Sequence, residues 1–355
     1  MKSLLAAAAI ASAALITPTA SIAQDSREFA VVGTWGQLAH WKERESVFWN
    51  ETLPGVTDGR LTANAKPLTE LGLDGNKVMR EVRAGAFDFA HGVFLYIAGD
   101  SPVIEGSDLS GLAPDLDTFR AALDVYKPIM QAEFDEKYDS RILMLYAWPQ
   151  SHFYCNFPED TPSEIGLDVF EGLKIRSYGA SLGDLISTSL NAVPVSVSFG
   201  ETLSGLQKGL VDCGVTSELS AHSAKWYQAA THVVPVSLGY TASFLAVNND
   251  VWASLSADDQ TAIEAAVKEM EEEMFAATAR DDEHGLACNT DGPCTSGENG
   301  NLIPVTLTAD AQAELRASLA TGVLANWAER CEPRSEGCVA NWNSTIGKVL
   351  GYEIK

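Results

Sequence analysis

The sequence predicts two α/β lobes joined by a hinge, with one long helix lying across both. Three observations carry this expectation. The chain has 355 residues, enough for roughly two domains that each close a core. Two segments share one layout: a strand, a helix, then a Gly-x-x-Asp that opens the next strand. Two long apolar runs bracket the second of these segments, where a chain would cross into a second lobe and return.

Taken in order, residues 29–35 read as a first buried strand. The first repeated unit runs from a strand at 61–66, through a helix with Val78, Met79 and Val82 at core spacing, to Gly85-Ala-Phe-Asp88 and a strand at 89–92. Residues 141–148 make the first crossing, and 173–178 is a further strand. The second unit runs from a strand at 193–198, through a helix with Leu203 and Leu206, to Gly209-Leu-Val-Asp212 and a strand at 213–217. Each glycine suits a helix end that must turn, and each aspartate opens the strand that follows. Residues 232–237 and 241–249 bring the chain back. Apolar runs of this kind, alternating with helical patterns, predict mostly parallel sheets. Ser256-Ala-Asp-Asp259 then caps a helix with Ile263, Val267, Met270 and Met274 at helical intervals up to Gly285. Such a helix would be about 40 Å long, and its methionines read as core. The lobes are expected to comprise residues 24–147 and 242–285, and residues 148–241 and 286–355 together with the C-terminal region.

Apolar residues make up 46% and charged residues 20% of the chain, the balance of a folded protein and not of a disordered one. Forty-eight acids face 24 Lys and Arg, a net charge of −24, which repels a phosphate backbone and excludes nucleic acid as a partner. Residues 1–23 read as a signal peptide: Lys2 gives a basic start, residues 4–16 are an apolar run, and Ser21-Ile22-Ala23 offers small residues for cleavage. Its removal would take the charge from −24 to −25. No later stretch reaches the ~20 apolar residues of a membrane span, so an exported, soluble protein is expected.

In an oxidising compartment the six cysteines are expected to pair. Short loops close at little entropic cost, which favours Cys288 with Cys294 and Cys331 with Cys338. Cys155 and Cys213 would then join each other, with cross-pairing between the two local loops left open. Neither local spacing is the C-x-x-C of structural zinc, and no His adjoins either pair. No metal and no cofactor is expected, since HExxH, Walker A, GxGxxG and EF-hand patterns are all absent.

Two constellations carry chemistry. Gly179-Ala-Ser181-Leu-Gly183 fits the G-x-S-x-G elbow of a serine hydrolase, with Asp212 and His232 following in the hydrolase order. The plainer reading is a Gly/Ser turn that starts a helix. The other is Arg176, at the end of a buried strand, where α/β proteins bind ligands. Its planar fork of donors suits a carboxylate.

The elements Glu171-Gly-Leu-Lys-Ile-Arg176, Asn191-Ala-Val-Pro-Val-Ser-Val-Ser-Phe-Gly-Glu201, Leu206-Gln-Lys-Gly-Leu-Val-Asp212 and Asn248-Asn-Asp-Val-Trp252, with Gly72, Gly85 and Asp88 upstream, form a recognisable set. The chain resembles the dicarboxylate-type solute-binding subunits of TRAP (tripartite ATP-independent periplasmic) transporters. That resemblance implies a periplasmic-binding-protein-like fold closing over a small organic acid. It implies a monomer in the periplasm that is not an enzyme and that hands its ligand to the TRAP membrane subunits. Carried over, Arg176 holds the carboxylate, Phe199 is the aromatic contact and Thr216 the polar one. Cys213 and Thr216 stand where the family commonly has Gly and Asn. Trp35 and Phe94 from the first lobe, and Trp148, Phe153 and Tyr154 where the chain enters the second, complete the candidate binding residues.

Overall fold

The computed structural model describes residues 26–355, so the signal peptide expected over residues 1–23 lies outside the described residues. The first strands are β1 (Arg27–Gly33), β2 (Leu61–Pro67), β3 (Phe89–Val93), β4 (Ser140–Trp148) and β5 (Ser151–Cys155). They continue as β6 (Glu164–Ile165), β7 (Lys174–Ser177), β8 (Val193–Ser196) and β9 (Cys213–Ser217). The last are β10 (His232–Val234), β11 (Thr241–Asn248), β12 (Ile303–Pro304) and β13 (Thr306–Leu307).

Two sheets organise the lobes, one of five strands in the order β2-β1-β3-β11-β4 and one of six in the order β12-β10-β5-β9-β7-β8. The repeated units occupy equivalent places. In the first, β2 and β3 flank β1 in parallel; in the second, β8 and β9 flank β7 in parallel. The Gly-x-x-Asp segments also behave alike. Gly85 and Gly209 take positive φ of 78° and 68°, which glycine adopts without a Cβ penalty. Asp88 Oδ2 then accepts from the Ala30 amide of β1, and Asp212 Oδ2 accepts from the Lys174 amide of β7, each at 2.8 Å. Each aspartate thereby pins its unit to the central strand.

Five of the nine strand pairings in the two sheets are parallel, as expected, and four are antiparallel. β4 runs antiparallel to β11 in the first sheet, and β5 runs antiparallel to β10 in the second. The cause is the crossing itself: one segment leaves the first lobe and the other returns, so wherever they meet they run in opposite directions. At the hinge, Ser151 N donates to Gly239 O at 3.2 Å and Leu238 N donates to Ser151 O at 3.1 Å, which ties the two crossing segments together.

The long helix is Ala257–Asn289, 33 residues and about 50 Å. Ser256 Oγ caps it by accepting from Asp259 N at 3.1 Å. Met270 and Met274 are buried, as core positions should be. Thr278 Oγ1 donates to Ala147 O of β4, and Asn289 Nδ2 donates to Glu218 O just beyond β9, each at 2.7 Å, so the helix binds both lobes. Gly285 does not end it. There the helix passes so close to residues 218–219 that an added Cβ would lie 2.4 Å from Leu219 N.

The C-terminal helices reach back to the first lobe: Trp327 Nε1 donates to Pro102 O at 2.7 Å and Trp342 Nε1 donates to Gly106 O at 3.0 Å. Arg330 bridges Glu105 at 3.0 Å and Asp184 at 2.6 Å, joining the first lobe, the second and the C-terminal region.

Candidate functional site

Arg176 lies near the C-terminal end of β7, between parallel neighbours whose next loops bend towards it. Its side chain is 1% exposed. Nε donates to Val197 O at 3.0 Å, Nη1 to Val215 O at 2.6 Å and Nη2 to the Tyr96 hydroxyl at 3.2 Å. The guanidinium carbon stands 4.8 Å from the Tyr178 ring centroid, 5.8 Å from Phe199 and 5.7 Å from Trp226. Among the described residues no carboxylate pairs with it. Its three bonds leave part of a five-donor fork unused, and a buried cation without a counter-charge is strongly unfavourable. The geometry asks for an anion.

Around it the lobes form a narrow cleft that opens to solvent. Trp35, at the end of β1, is the central ring of the apolar wall, with centroids 5.4 Å from Tyr96, 5.8 Å from Trp148 and 5.7 Å from Phe199. His40 stacks on Trp148 at 3.8 Å and 7°, fixing that indole. Trp148 Nε1 donates to Ser220 Oγ at 3.1 Å, and Ser217 Oγ donates to the same oxygen at 2.7 Å. Ser151 Oγ and the Tyr178 hydroxyl are 3.0 Å apart. Burial raises the Tyr178 pKa, so the phenol remains neutral and available as a donor. Thr216 and Thr241 complete the polar lining.

A family model for bacterial extracellular solute-binding protein, family 7 (DctP), matches residues 34–288, well over half of the chain. The chain belongs to this family. A solute-binding protein of Roseobacter denitrificans is 23% identical over 299 residues, 81% of this chain and 83% of that one. Among solved structures, the sugar acid binding protein DctPAm from Advenella mimigardefordensis, in complex with galactonate, superposes with a TM-score of 0.79. It is 15% identical, over 92% of this chain and 99% of the other. DctP7, a Bordetella pertussis extracytoplasmic solute receptor binding pyroglutamic acid, gives a TM-score of 0.76 at 16% identity, over 90% of this chain and 100% of the other. The TRAP dicarboxylate-type resemblance and the hinged two-lobed fold therefore stand.

For this family 7 member, the cleft gathers Arg176, Phe199, Thr216, Trp35 and Trp148 from the sequence-derived set. Phe94, Phe153 and Tyr154 lie elsewhere. Phe94 packs on Phe134 and Phe244, Phe153 on Phe170, and Tyr154 against the back of Trp226, all in lobe interiors. Tyr96, Tyr178, Ser151, Ser220 and Thr241 were missed. Tyr178 had a signal, being two residues beyond Arg176 and hence on the same side of the strand. Tyr96 had none, because a helical turn, Phe94–Ile97, begins where β3 ends.

The hydrolase set is not assembled. Ser181 Oγ accepts from Ser110 N at 2.6 Å, Asp212 accepts from Lys174 N, and His232 Nδ1 meets Thr231 Oγ1 at 2.7 Å. The three share no hydrogen bond, and the Gly179–Gly183 turn serves to start a helix whose Ser181 amide donates to Glu105 at 2.7 Å. The cysteines pair as expected, Cys155 with Cys213, Cys288 with Cys294 and Cys331 with Cys338. Cys155 faces Cys213 in register across β5 and β9. Among the described residues His222, Cys288 and Cys294 form one cluster of metal-ligand types, but its two sulfurs are bonded to each other.

Proposed function

We propose that this protein captures a small organic acid between its lobes, with Arg176 clamping the carboxylate, and delivers it to a TRAP-type membrane transporter. Burial of Arg176 without a protein counter-charge carries this reading. A ligand carboxylate supplies the missing charge and accepts from the unused donors. The same reading makes the protein a periplasmic, monomeric binder, not an enzyme, whose lobes comprise residues 24–147 with 242–285, and 148–241 with the C-terminal region. Phe199, Thr216, Trp35 and Trp148 are its ligand contacts. The galactonate and pyroglutamate complexes of its structural relatives support the ligand class.

The test is a thermal-shift screen of organic acids followed by calorimetry on wild type and Arg176→Ala. Truncating one member of a desolvated charged pair costs about 2–5 kcal/mol, so Arg176→Ala should weaken binding by about 30-fold to 4,000-fold. Equal affinity in the two proteins, with unchanged melting temperatures, would make the arginine structural.

A further inference from the structure

We infer that the cleft selects a compact monocarboxylate with a flat, largely apolar body, against dicarboxylates and polyhydroxylated acids; this rests on the reading that Arg176 holds a carboxylate. Three features of the cleft, charge, closure and hydroxyl supply, lead to it.

The first is charge. Arg176 is the single ionisable cation among the residues lining the cleft, and no Asp or Glu lines it. His40, which stacks on Trp148, is held neutral by burial. One carboxylate is therefore matched and a second would be buried without a partner, a strongly unfavourable arrangement.

The second is closure. Tyr96 from the first lobe already bonds Arg176 of the second, and Trp35, Trp148, Phe199 and Thr216 are each at most 8% exposed. A second carboxylate would thus lie against buried rings, with little room for its own hydration shell.

The third is the supply of hydrogen bonds. The Tyr96 oxygen accepts from Arg176 and keeps its own hydrogen, and in the Ser151–Tyr178 bond one hydroxyl donates while the other keeps its hydrogen. Ser220 already accepts two bonds, so only its own hydrogen is left to donate. Among the described residues the Thr216 hydroxyl has no partner. What these groups chiefly have left is hydrogens to donate, which suit a carboxylate or carbonyl oxygen and not the hydrogens of many ligand hydroxyls. A sugar acid carries a hydroxyl on nearly every carbon, and each one left unpaired against these rings forfeits its bonds to water. Ring faces and edges from Trp35, Tyr96, Trp148, Tyr178 and Phe199 instead suit a planar apolar body.

Calorimetry on the full mature protein tests this with benzoate and pyroglutamate as compact monocarboxylates, succinate and phthalate as dicarboxylates, galactonate as the polyhydroxylated acid, and benzamide as the uncharged control. At least one compact monocarboxylate should bind about 100-fold or more tighter than succinate, phthalate and galactonate, with benzamide weaker still. If a dicarboxylate or galactonate binds as tightly as the best monocarboxylate, the selectivity is wrong while carboxylate capture stands. If benzamide matches benzoate and no acid binds more tightly, carboxylate capture itself fails, and the selectivity with it.

Discussion

Tyr96 and Arg176 meet across the cleft, the phenol oxygen of one lobe accepting from Nη2 of the other at 3.2 Å. Tyr96 follows β3 of the first sheet and Arg176 lies near the end of β7 of the second, so the group proposed to hold the ligand also links the two lobes. Tyr178 adds to the same contact, its ring lying 19° from that of Tyr96 at 6.4 Å.

Tyr96→Phe removes this bond and keeps the ring. A hydrogen bond to a charged group contributes about 1.5–3 kcal/mol, so affinity for the best acid should fall by about 10-fold or more. The loss should appear mainly as faster dissociation, because the bond ties one lobe to the other across the cleft. Stopped-flow fluorescence of the cleft tryptophans reads it; unchanged dissociation would show that the bond contributes nothing to closure.

Arg176→Lys separates charge from shape. An ammonium keeps the positive charge but cannot serve Val197 O, Val215 O, the Tyr96 hydroxyl and a ligand in one plane. Affinity should fall between those of wild type and Arg176→Ala, at least about 10-fold below wild type. A lysine variant equal to wild type would mean that net charge alone holds the acid.

The fold was legible because its two halves repeat a pattern that physics reads locally: a glycine where φ is positive, then an aspartate that pins a central strand. Arg176 was legible for a related reason, as a charge ending an apolar strand. What escaped was depth along the strands. The cleft touches strand ends, so Trp148 and Ser151 at the hinge reach it, whereas Phe153 and Tyr154, further into β5, are covered by neighbouring strands and helices. Strand order decides this, and spacing in one sequence does not disclose strand order. The antiparallel pairings escaped for the same reason, since the meeting of the two crossing segments is a long-range event.

The disulfides should differ in what they contribute. In the chain-entropy account, stabilisation grows with the enclosed loop: about 4 kcal/mol for Cys155–Cys213 and about 2 kcal/mol for each of the other two, given sequence separations of 58, 6 and 7. Paired Cys→Ala variants compared by guanidinium unfolding should rank in that order. A local pair that cost as much as Cys155–Cys213 would overturn the ranking.

A buried acid at the hinge predicts a pH dependence. Burial, with the charge of Asp282 second, raises the Glu218 pKa from its ordinary 4.5 to about 8, and burial raises Asp282 to about 6. His152 Nδ1 faces Val236 O at 2.9 Å while its Nε2 lies 3.5 Å from Glu218, and burial holds the ring neutral with a pKa of about 4. A raised carboxyl pKa means the folded state holds its proton more tightly than the unfolded chain. That stabilisation is complete below pH 4.5 and is lost as pH rises through about 8. The histidine works the other way, but only as pH falls from its ordinary 6.5 towards about 4, so the window above 6.5 isolates the acids. There Glu218→Gln should gain melting temperature over wild type as pH rises towards 8; parallel profiles would sink this assignment.

Gly285→Ala sets helix propensity against packing. In a helix interior alanine is favoured over glycine by about 1 kcal/mol. At residue 285 the new methyl would lie 2.4 Å from Leu219 N, 2.5 Å from Glu218 Cβ and 2.8 Å from Glu218 C, two of them backbone atoms that cannot rotate away. Overpacking of this kind costs about 1–3 kcal/mol, and the strained contact also carries the Asn289 bond to Glu218 O. Packing should win, with a lower melting temperature and weaker ligand binding, because this contact joins the long helix to the second lobe. Gly55→Ala, in the short helix Leu53–Val56 where an added Cβ meets nothing within 4 Å, is the control and should not lose stability. A Gly285→Ala protein as stable as that control would show that the helix and residues 218–219 can separate without loss, and the long helix would then not bind the second lobe as tightly as this approach implies.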